Sequence, residues 1–156
     1  MRVEIGKEVP ALEFELTEQQ GKHSFTEFLG KKVVLYFYPK DDTPGCTLEA
    51  QGFRDHLAAF HQANAVVLGV SKDSCASHQK FLSKYSLNFD LIADTEGTLC
   101  SAFDVIKEKN MYGRKYLGIE RSTFVLDEAG ILVRAWRKVS MPKHVEEVLN
   151  FIRGLS

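Results

Sequence analysis

FYPKDDTPGC, Phe37 to Cys46, decides how the rest of this chain is read. It leaves an apolar run, VVLYFY from Val33 to Tyr38, which has no polar face and so reads as a strand covered on both sides. It leads into Thr47 to Ala63, where Leu48, Phe53, Leu57 and Phe60 recur at helical spacing. The loop between them holds Pro39, Thr43, Pro44 and Gly45, residues that favour tight turns. Cys46 thus stands where a strand hands over to a helix. A thiol in the first turn of a helix faces unpaired backbone N–H groups and the positive end of the helix dipole. Both favour the thiolate, which is the nucleophilic form of cysteine.

Working outward, the same periodicities place the other elements. Ala11 to Leu16 reads as a short strand, Gln19 to Gly21 as a turn, and His23 to Phe25 as a segment that pairs back. Phe28 to Lys32 reads as a short turn or helix. Ala65 to Ser71 (AVVLGVS) is a second buried strand. Ser74 to Tyr85 is a polar helix with Phe81 and Leu82 turned inward. Leu91 to Ala93 is a short strand and Gly97 to Phe103 a short helix. Thr123 to Asp127 and Ile131 to Trp136 are strands joined by Glu128-Ala129-Gly130. Pro142 opens a last helix, whose buried stripe is Val145, Val148, Leu149 and Ile152. A βαβ unit followed by a ββα unit predicts an α/β fold, a central mixed sheet flanked by helices in the thioredoxin-like arrangement.

The chain has 156 residues, 44% of them hydrophobic and eleven of them Phe, which suits one domain (residues 1–156) with a substantial core. Its formal net charge is -1, and acids and bases are mixed, so no basic stripe points to nucleic acid. No apolar run approaches the ~20 residues of a membrane-spanning helix. The opening MRVEIGKEVPALEF has no apolar core segment of the secretory kind, so a cytoplasmic location is expected. The three cysteines, Cys46, Cys75 and Cys100, form neither a disulfide framework nor a zinc spacing, and free thiols in a reducing compartment are expected.

Four reactions suit a thiolate at position 46: disulfide exchange, acyl transfer, metal binding and peroxide reduction. Disulfide exchange on this fold uses a CxxC pair, and the residue that completes it here is Glu49. Acyl transfer wants a histidine base, and none lies in the loop. Metal binding lacks ligand spacing. Peroxide reduction needs only a thiolate, a hydroxyl to orient the substrate and a cation to polarise it. Thr43 can supply the hydroxyl, to sulfur and to peroxide alike, and Arg121, heading RSTFVLD, is the candidate cation. Pro39 and Pro44 restrict the loop and remove backbone donors, which would shield the sulfur.

The pattern Pro39-x3-Thr43-x2-Cys46 behind VVLYFY resembles the active-site signature of peroxiredoxins, and KDDTPGCTLEA resembles their bacterioferritin-comigratory-protein, or peroxiredoxin Q, group. FDVIKEKNMYGRKYLGIERSTFVLD, Phe103 to Asp127, resembles the same group, and the likeness runs along nearly the whole chain. The resemblance implies a thioredoxin-like peroxiredoxin fold. It implies reduction of hydrogen peroxide and organic hydroperoxides with no metal or organic cofactor. Cys46 would be the peroxidatic cysteine, with Pro39, Thr43 and Arg121 in the family's catalytic roles. Thioredoxin, glutaredoxin or glutathione would be the reductant, and the molecule would be a monomer.

The second half of such a cycle is less defined. Gln51 and Leu82 occupy the two positions where members of the group carry a resolving cysteine. Cys75 and Cys100 are the remaining candidates. A disulfide needs Cα atoms within about 7 Å, so pairing Cys75 with Cys46 requires local unfolding. Cys100, among apolar neighbours, reads as core. Glu49 either caps its own helix or pairs with Arg121. The histidines read as surface residues, Trp136 as core or rim packing, and Lys107 to Lys109 as a solvated face. Two other functions fit the same residues: a thiol–disulfide oxidoreductase, and a peroxide-sensing redox protein that works through oxidation of Cys46.

Overall fold

The computed structural model describes residues 2–141 and 143–155. β1 (Glu13–Glu15) and β2 (Lys22–Ser24) form an antiparallel hairpin, followed by a 3-10 turn at Phe25–Phe28. The chain continues through β3 (Lys32–Phe37), α1 (Pro44–Gln62), β4 (Ala65–Ser71), α2 (Cys75–Tyr85), β5 (Asp90–Ala93) and α3 (Thr98–Ala102). A second hairpin, β6 (Ile106–Met111) and β7 (Arg114–Ile119), precedes β8 (Ser122–Leu126), β9 (Leu132–Trp136) and α4 (His144–Gly154). The central sheet has the order β5-β4-β3-β8-β9. β3, β4 and β5 run parallel; β8 is antiparallel to both β3 and β9.

β3 is the middle strand because both of its faces are apolar. Val33, Leu35 and Phe37 alternate with Val34, Tyr36 and the following Tyr38, and all six are buried. The first set joins a core with Phe14, Phe25, Phe103 and Phe124, beneath the N-terminal hairpin and α3. The second set joins Phe53, Phe60, Phe81, Val145 and Val148, which project from α1, α2 and α4. Cys46 belongs to this second core, and Cys100 to the first. Tyr36 lies across β4 at Gly69, where an added Cβ would meet the tyrosine Oη at 2.9 Å and Leu91 Cδ2 at 2.7 Å. Glycine is required there by close approach.

The expected α/β fold with a central mixed sheet is what the chain adopts, with several local corrections. α1 starts at Pro44, and its inward face is Cys46, Glu49, Ala50, Phe53, Leu57 and Phe60. Leu48, expected inside, is half exposed. The stretch around Lys107 to Lys109 is strand β6, with Lys107 and Lys109 half-buried. His78 and His144 are buried, contrary to the surface reading. His144 Nε2 lies 2.8 Å from Thr123 Oγ1, and burial pulls its pKa down to about 4. Trp136 packs at the rim, edge-on to His144 and Phe151, and its indole N–H donates to Glu147. Pro142, expected to open the last helix, lies outside the described residues, and α4 spans His144–Gly154.

Candidate active site

β3 delivers the chain to an exposed loop at Pro39 and Lys40, and the chain returns inward at Asp41. Asp42 adopts a left-handed conformation (φ 58°), which Asp tolerates better than most residues. Thr43 then takes the N-cap position in extended conformation, and Pro44 follows with its φ set for the first turn. The Thr43 hydroxyl does not cap the helix. It donates to the Lys40 carbonyl at 2.9 Å. The first-turn N–H groups of Gly45 and Cys46, which have no intrahelical acceptor, are therefore left without a side-chain cap. With its proton committed to Lys40, Thr43 is left with acceptor capacity only. It can receive a hydrogen bond from a peroxide O–H, but it does not donate to the sulfur as the sequence led us to expect.

Cys46 is 1% exposed. Arg121, in the short connection between β7 and β8, reaches it: Nη2 donates to Cys46 Sγ at 3.3 Å, while Nη1 donates to Glu49 Oε1 at 2.7 Å. The backbone on either side of Arg121 is pinned. The Glu120 N–H donates to the Val105 carbonyl at 2.7 Å, and the Val139 N–H donates to the Arg121 carbonyl at 2.9 Å. An added Cβ on Gly45 would come within 3.1 Å of Arg121 Nη2, so glycine at this position lets the guanidinium approach the helix mouth. One planar fork thus holds a carboxylate and a sulfur at fixed spacing, a geometry that lysine cannot reproduce. A cation at this distance, in a site nearly closed to water, stabilises negative charge on sulfur far more than it would in solvent.

Of the expected site residues, the structure brings Cys46, Arg121 and Glu49 together, with Thr43 and Pro44 in the turn leading to them. Pro39 and Pro44 are both exposed. Glu49 does not cap its helix; it pairs with Arg121. The sheet stands between Cys46 and Cys100, which corrects the idea of Cys100 as a resolving partner. Burial also pushes the Cys100 thiol well up, away from the reactive thiolate. Cys75 is the first residue of α2 and half-buried, and all three cysteines are free. Gln51 is half-buried on α1, and Leu82 is buried on the inner face of α2.

The sequence is similar to known proteins over its whole length. A model of the AhpC/TSA family matches residues 5–135. The chain belongs to the AhpC/TSA family. It is 47% identical over 160 residues to Peroxiredoxin Bcp of Bacillus subtilis, with 100% of this chain and 99% of that protein covered. It is 49% identical over 150 residues to Peroxiredoxin Bcp of Xanthomonas campestris, covering 94% of each. Among solved structures, a cysteine-to-serine mutant of Xylella fastidiosa PrxQ superposes with a TM-score of 0.91 at 42% identity, covering 98% of this chain and 97% of that one. The bacterioferritin comigratory protein of Xanthomonas campestris, studied for alkyl peroxide reduction, superposes at 0.88 with 45% identity, covering 96% and 98%. The chain is therefore a peroxiredoxin of the Bcp/peroxiredoxin Q group, an enzyme family of thiol peroxidases with a thioredoxin-like fold.

The cluster around Cys46 contains two polar atoms that are buried and have no hydrogen-bond partner among the described residues, Glu49 Oε2 and Tyr36 Oη. Glu49 is fully buried, and loss of hydration pushes its carboxyl up to about 7, outweighing the opposing pull of Arg121. Arg121 is itself partly desolvated, but the charges of Glu49 and Cys46 together push its pKa up. The consequence for stability has a definite sign. A carboxyl whose folded pKa lies above its unfolded value binds its proton more tightly when folded. Its stabilising contribution is complete below the unfolded value and is lost as pH rises to about 7. The loss is roughly 3 kcal/mol. Glu49→Gln keeps an acceptor for Arg121 and removes the charge, so that component disappears. Urea unfolding of both proteins from pH 4 to 8 checks it: the variant should gain on the wild type as pH rises. A constant difference would mean that Glu49 does not titrate in this range.

Proposed function

We propose that residues 1–156 act as one peroxiredoxin domain that reduces hydrogen peroxide and alkyl hydroperoxides at Cys46. The observation that carries the reading is the single guanidinium shared between a buried sulfur and a buried carboxylate. The thiolate attacks one peroxide oxygen, the O–O bond breaks, and the departing oxygen leaves as water or alcohol after taking a proton. Cys46 becomes a sulfenic acid. Arg121 and the free N–H groups of the first helical turn hold the charge that develops on oxygen. Thr43 accepts from the peroxide O–H and fixes the substrate's orientation, and Pro39 shapes the loop. Such placement matters more than binding energy here, because a peroxide is small.

For the second half, an external thiol attacks the sulfenic sulfur, releasing water and leaving a mixed disulfide. A second thiol then frees Cys46 and leaves as half of a disulfide. This reading rests on Gln51 and Leu82 at the group's resolving positions, and on Cys100 behind the sheet. Glutathione, glutaredoxin or thioredoxin are suitable donors, acting on a monomer in the reducing cytoplasm. Mass spectrometry of the protein after one equivalent of hydrogen peroxide, then glutathione, tests the cycle. Sulfenic acid followed by a glutathione adduct on Cys46 is expected. A Cys46–Cys75 disulfide would replace the one-cysteine cycle with a two-cysteine one.

A further inference from the structure

The β6–β7 hairpin carries Lys107, Lys109, Arg114 and Lys115 against a single acid, Glu108, and its second strand ends two residues before Arg121. Two of its lysines are paired. Lys107 Nζ lies 3.3 Å from Asp104, and Lys115 Nζ lies 3.5 Å from Glu108. Lys109 differs. It is half-buried, yet no ion pair or side-chain hydrogen bond holds its ammonium among the described residues. Strand register sets it opposite Tyr116, on the hairpin face that also carries Gly118. An added Cβ on Gly118 would meet Lys109 Cδ and Tyr116 Cε2, each at 3.2 Å, so the aliphatic stem of Lys109 lies down on the strand that leads to Arg121. The foot of the hairpin is fixed beside the site, because the Glu120 N–H donates to the Val105 carbonyl at 2.7 Å. Lys109 thus stands in the electrostatic field of the site. Burial, and then the Arg121 guanidinium, lower its pKa, while Cys46 and Glu120 act the other way.

A partly desolvated ammonium beside a second cation suits an anion, and the charge on sulfur decides which one. In the reduced protein the Cys46 thiolate offsets Arg121 and Lys109, and an approaching anion meets that thiolate. Once Cys46 is a sulfenic acid, the sulfur is neutral. Arg121 and Lys109 are then set against Glu49 and Glu120 alone, and the site is more positive by the charge of the lost thiolate. An anion is therefore favoured by the oxidised form, which meets the reductant, over the reduced form, which meets the peroxide. A carboxylate-bearing thiol such as glutathione has the matching shape. Its carboxylates flank the thiol at a separation of about one residue on either side, roughly 4–7 Å. A cation near the sulfur but not bonded to it can hold such a carboxylate while the thiol reaches Cys46.

We propose that Lys109 is the specificity-determining residue of re-reduction: its ammonium binds a carboxylate of an anionic thiol and directs that thiol's sulfur to oxidised Cys46. Lys109 takes no part in the bond changes. The thiolate attacks the sulfenic sulfur of Cys46, the S–S bond forms as the S–O bond breaks, and the departing hydroxide takes up a proton to leave as water. A second thiolate attacks the glutathione sulfur of the adduct. Glutathione disulfide leaves, and Cys46 recovers the electron pair as thiolate. Two thiols are oxidised and one sulfenic acid is reduced. The proposal rests on the one-cysteine peroxidase reading above and names the chemical class of its reductant.

The test mixes protein pre-oxidised with one equivalent of hydrogen peroxide, in a stopped flow at neutral pH, with glutathione or with cysteamine, a cationic thiol that has no carboxylate. Lys109→Met should slow the reaction with glutathione about tenfold and leave cysteamine as fast or faster. Added salt should slow glutathione on the wild type and have little effect on the variant. Glutathione diethyl ester on the wild type should be as slow as glutathione on the variant. Lys115→Met, on the opposite face of the hairpin, should stay within about twofold of the wild type for both thiols. Should Lys109→Met fail to fold, Lys109→Gln and the ester comparison on wild-type protein decide the matter. Equal slowing with both thiols, or an unchanged glutathione rate, overturns the assignment. So does a loss confined to the peroxide step, which would make Lys109 a support of the thiolate. Failure of the wild type to form a sulfenic acid on Cys46, or a Cys46–Cys75 disulfide in its place, would instead remove the reading beneath the proposal.

Discussion

Cys46→Ser is expected to keep the fold and to lose peroxide consumption to the buffer background, a drop of at least roughly 1,000-fold. The replacement changes one atom in a closed site. Serine is slightly smaller than cysteine, and its oxygen can accept from Arg121 Nη2 where the sulfur does now. The melting temperature should therefore move by no more than a few degrees. The chemistry, however, disappears. A serine hydroxyl stays protonated at neutral pH even beside a guanidinium, and oxygen attacking a peroxide oxygen gains none of the driving force that forms a sulfenic acid. Peroxide loss followed with dithiothreitol as reductant measures it. Cys75→Ser and Cys100→Ser are the controls, and both should retain near wild-type rates, since one lies at the head of α2 and the other behind the sheet. If Cys46→Ser kept more than a tenth of the wild-type rate, the assignment of Cys46 would be wrong.

Much of this architecture is written in local patterns, and the places where it is not have identifiable causes. β3, β4, the β8–β9 hairpin and α4 follow from apolar period, because each buries a mainly apolar face whose polar members, such as Ser71, Ser122, Thr123 and His144, sit at element ends. The β6–β7 hairpin escapes such a reading. IKEKNM and RKYLGI carry charges on both faces, and the turn between them is Tyr112-Gly113, both at positive φ, where Asn-Gly is the usual signal. Leu48 misleads for a different reason. The inward stripe of α1 passes through Glu49, and a charged residue is not placed inside a helix face by any apolar pattern. What makes Glu49 burial tolerable is Arg121, supplied from a distant part of the chain.

The site was legible to the same degree. Cys46 and its loop are local, so strand, turn and helix mouth can be inferred together. The Arg121 contact is tertiary: the sequence offers Arg121 as a candidate cation, and family likeness is what ties it to Cys46. The contact of His78 Nδ1 with Asp41 Oδ2, at 2.7 Å, was missed because α2 looks polar and solvated, and a buried histidine cannot be told from an exposed one without its partners. One signal was available: Asp41 and His78 are polar residues close to strand ends that the sheet order brings together, since β3 and β4 are neighbours and α2 follows β4. Thr43 shows the limit from the other side. Its place in the turn before Cys46 is plain from the sequence, but the direction of its hydroxyl depends on the Lys40 carbonyl, which no residue pattern reveals.

Arg121→Ala should slow the reaction with hydrogen peroxide by roughly 100- to 1,000-fold, the range seen when one donor to a developing oxyanion is removed. The loss has two parts. The sulfur loses its neighbouring cation, and the departing oxygen loses a donor that is already in place before the O–O bond stretches. The same change leaves Glu49 buried without a partner, which ordinarily destabilises a fold by several kcal/mol. Here the penalty depends on pH. Glu49 is poised to take up a proton near neutrality, so Arg121→Ala should be only mildly less stable at pH 5 and clearly less stable at pH 8. Adding Glu49→Gln to Arg121→Ala should restore stability at pH 8 and leave the peroxide rate low. Arg121→Lys separates charge from shape: it keeps the cation but cannot hold Oε1 and Sγ on one rigid fork, so an intermediate rate is expected. Stopped-flow oxidation and urea unfolding on the four proteins resolve these effects. A double variant that recovered both stability and rate would mean that Arg121 serves only to neutralise Glu49.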